Sequence, residues 1–208
     1  MTVAGFGKRR MTLLGLALLV LLTAGIGVAA AKESNAEFWS TGNGGPRVAL
    51  LEFDVAEDMT RFAFDPDLAF EDDGYPAHGS SFVTQGYIYP KDTLSGGNGV
   101  NPDGTPEFPD QIIGTWLCYG TFIGDAAHAT SGAWVATTQI YDFGDELGSQ
   151  TVVTDGYELA DVGVPIKRAI TGGTGEYANA RGEGQQIFLG LNASEGVNIS
   201  FELEVKMR

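Results

Sequence analysis

Two acidic residues stand two apart in the stretch LLEFDVAED: Glu52 and Asp54. In an extended strand, residues i and i+2 share a face. Turned into an apolar cavity, two such carboxyls resist ionisation and can donate a proton or steer a charge. Alternation alone favours the opposite arrangement, with Leu51, Phe53 and Val55 in the core and the acidic pair in solvent. Further along, Cys118 shares a face with Trp116 and Phe122. A thiol in that company is a small buried hydrophobe unless a neighbouring base makes it a thiolate. Gln139 and Tyr141 share a face of a later stretch. They can line a cavity beside Trp116, with the tyrosine hydroxyl reaching a ligand oxygen, or they can simply pack.

Other chemistries lack their residues. His78 and His128 have no metal-ligand partner at a usual spacing. The acids at 65, 67, 71, 72 and 73 miss the EF-hand spacing. No nucleophile elbow or Ser-His-Asp order is present. The sequons at Asn192 and Asn198 carry no weight in a bacterial-style export context.

The elements that must position these side chains read as strands. Period-two alternation dominates after residue 32, most clearly in VNISFELEVKM at 197–207. Seven looser stretches precede it, at about 47–55, 81–90, 113–123, 132–143, 150–157, 164–171 and 178–190. Short Gly-, Asp-, Asn- and Ser-containing connections from residue 113 onward suit hairpins. Residues 56–80 and 91–112 are rich in Asp, Pro and Gly and read as long loops. AITGGTGEYANARGEG, at 169–184, has the glycine density of a phosphate cradle, but a cradle needs a helix after the glycines. The residues after Gly175 are glycine-studded and strand-like, so the segment is a strand-to-strand corner. Eight strands in one domain can form a sandwich or a closed barrel, and only a barrel removes the exposed edges.

The totals narrow the setting. Lys8, Arg9 and Arg10 precede an apolar run and an Ala29–Ala31 exit, the pattern of a cleaved export signal over 1–31. A flexible lead at 32–45 and one domain at 46–208 come after it. The protein is expected to be secreted or otherwise extracytoplasmic, with no stable membrane span after cleavage. The chain has 12 basic and 27 acidic residues, for a net charge of −15. Removing the signal takes three of the basic ones, leaving nine against 27, a net charge of −18. Such a surface repels nucleic acid and anionic lipid. One cysteine excludes an internal disulfide, so a core must hold the fold.

The GGTG-x-aromatic-x-x-Ala-Arg-Gly run of 172–182 resembles the signature of dirigent proteins and the matching turn of plant allene oxide cyclases. YDFGDELGSQTVVTDGYEL resembles the hairpin before it in both families. GTWLCYGTFI resembles the cyclase strand with an interior cysteine, and LLEFDVAED resembles the first strand, with Glu52 and Asp54 where the cyclases place a Glu and an Asn. The match is best over about 113–205. The resemblance implies an all-β, eight-stranded, antiparallel closed barrel of calycin type, often trimeric in the plant families. It implies a cavity for a small hydrophobic molecule, with cyclisation or radical coupling steered without a cofactor. It turns Glu52 and Asp54 inward, places Cys118 inside, and associates Arg181 with the pocket, although a surface ion pair suits that arginine equally. Asp54 in place of an amide argues against the allene oxide reaction itself. A non-catalytic filled barrel, or a lipocalin-type carrier, is the alternative.

Overall fold

A computed structural model describes residues 36–40, 47–65, 76–123 and 134–207. All belong to the compact unit Lys32–Arg208. The export signal at 1–31, His128 and most of the acidic run after Asp65 lie outside the described residues.

Among the described residues nine strands succeed one another: β1 Ala36–Ser40, β2 Arg47–Phe64, β3 Ser81–Pro90, β4 Gly114–Phe122, β5 Trp134–Asp142, β6 Thr151–Leu159, β7 Pro165–Gly173, β8 Arg181–Leu191 and β9 Val197–Met207. Each pairs antiparallel with the next. The closing seam joins β2 to β9, from Arg47 opposite Met207 to Ala56 opposite Asn198. An antiparallel barrel of eight strands, β2–β9, results. Among the described residues the helical pieces are two 3₁₀ turns, Pro109–Gln111 and Gly175–Tyr177.

Two expectations are corrected. Part of the expected flexible lead is strand β1, paired with Arg47–Leu51 of β2. It occupies the flank of β2 that β3, whose pairing begins at Phe53, leaves open. β2 itself continues to Phe64 rather than ending near residue 55. An irregularity between Asp58 and Ala63 lets it bend and keep pairing with β3.

The dry face of each strand points into the barrel. One end is solid. Phe53 and Phe201 face each other across the seam and stack with ring centroids 5.3 Å apart, while Tyr141 meets both edge-on at 5.0 and 5.1 Å. The 172–182 corner closes this end. Gly175 adopts φ +58°, and a β-carbon there would collide with the Ser149 carbonyl. The single turn after it sends Tyr177 into the core against Phe143. The glycines thus serve chain reversal, with no helix to receive a phosphate.

The loop at 91–112 lies against the outside of the barrel. Leu94 and Val100 bury with Ala56 and Tyr89 in a second apolar cluster, and the Tyr89 hydroxyl donates to the Gly99 carbonyl at 2.7 Å.

Candidate functional site

The interior contains polar side chains that stand in phase with the core. On β6, Glu158 comes after Val152 and Thr154 on the inner face; on β7, Arg168 lies between Ile166 and Ile170. Opposite Arg168 on β6 is Gly156, which has no side chain to occupy the space the guanidinium stem takes.

Arg168 is buried, and every nitrogen of its guanidinium is used. Nε donates to Thr154 Oγ1 at 2.9 Å. Nη1 donates to Thr137 Oγ1 at 2.9 Å, and Nη2 donates to the carbonyls of Thr137 and Thr154 at 3.0 and 3.3 Å. Two chains of donors run on from there. Thr137 Oγ1 donates to Glu158 Oε1 at 2.6 Å. The other passes from Thr154 to Tyr141, 3.1 Å apart, and from the Tyr141 hydroxyl to Gln139 Oε1 at 2.6 Å. Trp116 Nε1, which can only donate, also bonds Gln139 Oε1, at 3.0 Å. The Gln139 amide nitrogen therefore faces the other way, donating to Glu158 Oε1 at 2.5 Å and to Gln186 Oε1 at 3.3 Å. Both chains end on the same carboxylate oxygen. Arg168 Nη1 stands 3.6 Å from that oxygen and completes the ion pair. Burying an ion pair costs free energy unless its hydrogen bonds are met, and here the protein meets every guanidinium nitrogen and Glu158 Oε1.

Glu158 and Gln186 form the polar part of a cavity of about 380 Å³ at the end of the barrel where β6 and β8 stop and β9 begins. Its other walls include Leu159, Phe188, Val197 and Ile199. The same end carries an aromatic cluster: Phe62 stacks on Phe82 at 5.2 Å, and Phe122 lies 5.5 Å from Phe82. Glu57 continues the inner face of Leu51, Phe53 and Val55 and is buried. Burial pushes its carboxyl above the ordinary value. The Val197 amide, donating to its Oε2 at 2.8 Å, opposes that, while Glu158 and Asp58 add to it.

The residues singled out in the sequence divide. Trp116, Cys118, Gln139 and Tyr141 are buried inside the barrel. Burial, reinforced by Glu158, pushes the Cys118 thiol well up, so it is a neutral thiol, donating to Glu158 Oε1 at 3.7 Å. The Tyr141 hydroxyl is also held protonated, mainly by burial.

Glu52 and Asp54 do not point inward, which corrects the orientation drawn from the resemblance. They sit on the outer face of β2 because Leu51, Phe53 and Val55 take the core. Glu52 is exposed. Asp54 is buried beneath the 91–112 loop, where Oδ2 accepts from the Leu94 amide at 3.0 Å and Oδ1 from Ser200 Oγ at 2.7 Å. Arg181 is corrected in the same way. It is exposed at the closed end and donates to the carbonyls of Thr171 and Ala180 at 2.7 and 2.6 Å. Arg168, Glu158 and Glu57 were missed. Arg168 carried a signal, a charge between Ile166 and Ile170 on one face, whereas Glu57 and Glu158 lay just beyond the stretches read as strands, which ended at about 55 and 157.

Asn192 and Asn198 are both buried. Asn192 Nδ2 donates to the Glu57 carbonyl at 2.8 Å, tying the β8–β9 turn to β2.

Two pterocarpan synthase dirigent proteins of known structure superpose on this barrel. One has a TM-score of 0.52 and 16% identity, covering 86% of this chain and 99% of its own. The other has a TM-score of 0.52 and 17% identity, covering 77% and 95%. The chain has the dirigent barrel fold. A Diels–Alderase from Streptomyces koyangensis aligns with a TM-score of 0.43 and 16% identity, over 80% of this chain and 71% of its own. No protein-family model and no curated protein matches the chain. Within the dirigent-type barrel, then, this sequence builds a half-solid interior: aromatics fill the corner end, and a cavity over an ionic network occupies the other.

Proposed function

We propose that this dirigent-type barrel is exported, takes up one small hydrophobic molecule at the Glu158 end, and steers its cyclisation or coupling without a cofactor. The observation that carries the reading is the hydrogen-bonded Arg168–Glu158 network beneath the cavity. A barrel built only to be stable gains little from a buried ion pair where well-packed apolar side chains would serve. A barrel that acts on a ligand needs oriented dipoles that do not rearrange when charge develops. Apolar walls hold the molecule in one folded shape, and the entropy of folding it is lost on binding rather than in the reaction step. The dirigent fold of the two pterocarpan synthase proteins supports this at the level of architecture. The filled-barrel alternative describes the Tyr177 end, where the interior is solid, and does not describe the Glu158 end.

The test is native mass spectrometry of the purified chain for a bound apolar molecule, then product analysis with candidate polyenes. Phe188→Trp, which fills the cavity, should abolish ligand retention, and Glu158→Gln should change the product distribution. Identical products from wild type, both variants and buffer would remove the catalytic reading.

A further inference from the structure

We infer that the ligand of this cavity is a neutral apolar molecule bearing a hydroxyl group, and that carboxylic acids are excluded. The inference deepens the proposed function and rests on the cavity being the ligand site. Its basis is the direction of the hydrogen bonds.

Glu158 Oε1 accepts from Thr137 and Gln139 at 2.6 and 2.5 Å and faces Arg168 at 3.6 Å. Among the described residues its second oxygen, Oε2, has no partner, although the side chain is only 16% exposed. An ionised carboxylate offers about four lone-pair sites across its two oxygens. The oxygen left over belongs to a residue that lines the cavity.

Gln186 supplies the complement. Trp116 Nε1 can only donate, so Gln139 presents its oxygen to Trp116 and its nitrogen to Gln186. Gln186 must then present its oxygen to Gln139. Its own amide nitrogen has no partner among the described residues, while the residue is 3% exposed and lines the same cavity. Glu158 and Gln186 are neighbours, since both accept from Gln139 Nε2.

A fixed acceptor beside a fixed donor, in apolar walls, matches a hydroxyl, whose hydrogen goes to Glu158 Oε2 and whose oxygen accepts from Gln186 Nε2. A hydrocarbon would leave both groups desolvated and unpaired. A ligand carboxylate would bring a second negative charge against Glu158 in a low-dielectric mouth. The Glu57 carboxyl stands near Glu158 as well. Other charged groups with an electrostatic influence here are Arg168, which the network already engages, and Asp58, which acts on Glu57.

Three naphthalenes of matched size make the experiment: 2-naphthol, 2-methylnaphthalene and 2-naphthoate, titrated at neutral pH into the full chain and monitored by their fluorescence. The expected order places 2-naphthol about tenfold or more ahead of the other two, the worth of one charge-assisted hydrogen bond. Glu158→Gln should reduce that lead and admit 2-naphthoate. Because that change also disturbs Arg168, Gln186→Leu serves as the second variant. It leaves the ion pair in place and should weaken 2-naphthol while sparing 2-methylnaphthalene. Equal or tighter binding of 2-naphthoate or 2-methylnaphthalene to the wild-type chain overturns the hydroxyl assignment alone. Failure of every probe to bind overturns both that assignment and the ligand site on which it rests.

Discussion

Glu57 makes its environment measurable at the scale of a single residue. Burial raises its carboxyl in the folded chain above the ordinary glutamate value that the unfolded chain retains. Folding therefore favours the protonated form. The associated stabilisation is complete below the ordinary value and is lost as pH rises through the raised one. Glu57→Gln imitates the neutral acid and can still accept from the Val197 amide. Thermal melts of both proteins from about pH 4 to about pH 8 should therefore diverge, the wild type falling behind the variant as pH rises. Parallel curves would mean that burial does not raise the Glu57 carboxyl. Glu158, on the same interior, is paired with Arg168 and receives three protein donors counting the Cys118 thiol. Two glutamates on one interior thus have different surroundings, one desolvated by burial and one met by donors.

At the scale of an element, Asp54 shows what the 91–112 loop requires. The loop has little regular structure, yet its Leu94 amide and the Ser200 hydroxyl both end on this one carboxylate beneath it. Asp54→Ala leaves two buried donors without an acceptor, which should cost about 1–3 kcal/mol. Amide exchange should quicken in the loop around Leu94 and Val100 while the β6–β7 pairing keeps its protection. Uniform acceleration across the barrel would show that Asp54 supports the wall and not the loop. The alternation in LLEFDVAED made the outer position of Asp54 legible, since Leu51, Phe53 and Val55 claim the core. Its burial was not legible, because the covering loop comes from some forty residues further along the chain. Arg181 was misplaced for a related reason: a motif names a residue at a corner, but the corner's curvature decides which way it points.

For the whole molecule, the seam between β2 and β9 decides whether there is an inside at all. Phe53 and Phe201 stack across it, joining the first and last strands of the barrel. Phe201→Ala opens a void next to Phe53 and Tyr141 and should cost about 3–5 kcal/mol. Unfolding monitored by tryptophan fluorescence and by far-ultraviolet circular dichroism should shift by the same amount, because a closed barrel cannot lose one seam and keep the rest. Separate transitions for the two probes would mean that the seam opens on its own.

Period-two alternation was enough to place all eight barrel strands, because a strand buried on one face must write that burial into its sequence every second residue. The same phase sets Arg168 between Ile166 and Ile170 on the dry side, a charge the sequence reading passed over. Sequence could not say that Arg168 on β7 and Glu158 on β6 meet, with Thr137 of β5 between them. Nor could it say that one end of the barrel is plugged by Tyr177 while the other keeps a cavity. Those outcomes depend on strand register and closure, which bring together side chains from distant parts of the chain. Alternation is a property of one strand, whereas a pocket is a property of how all of them meet.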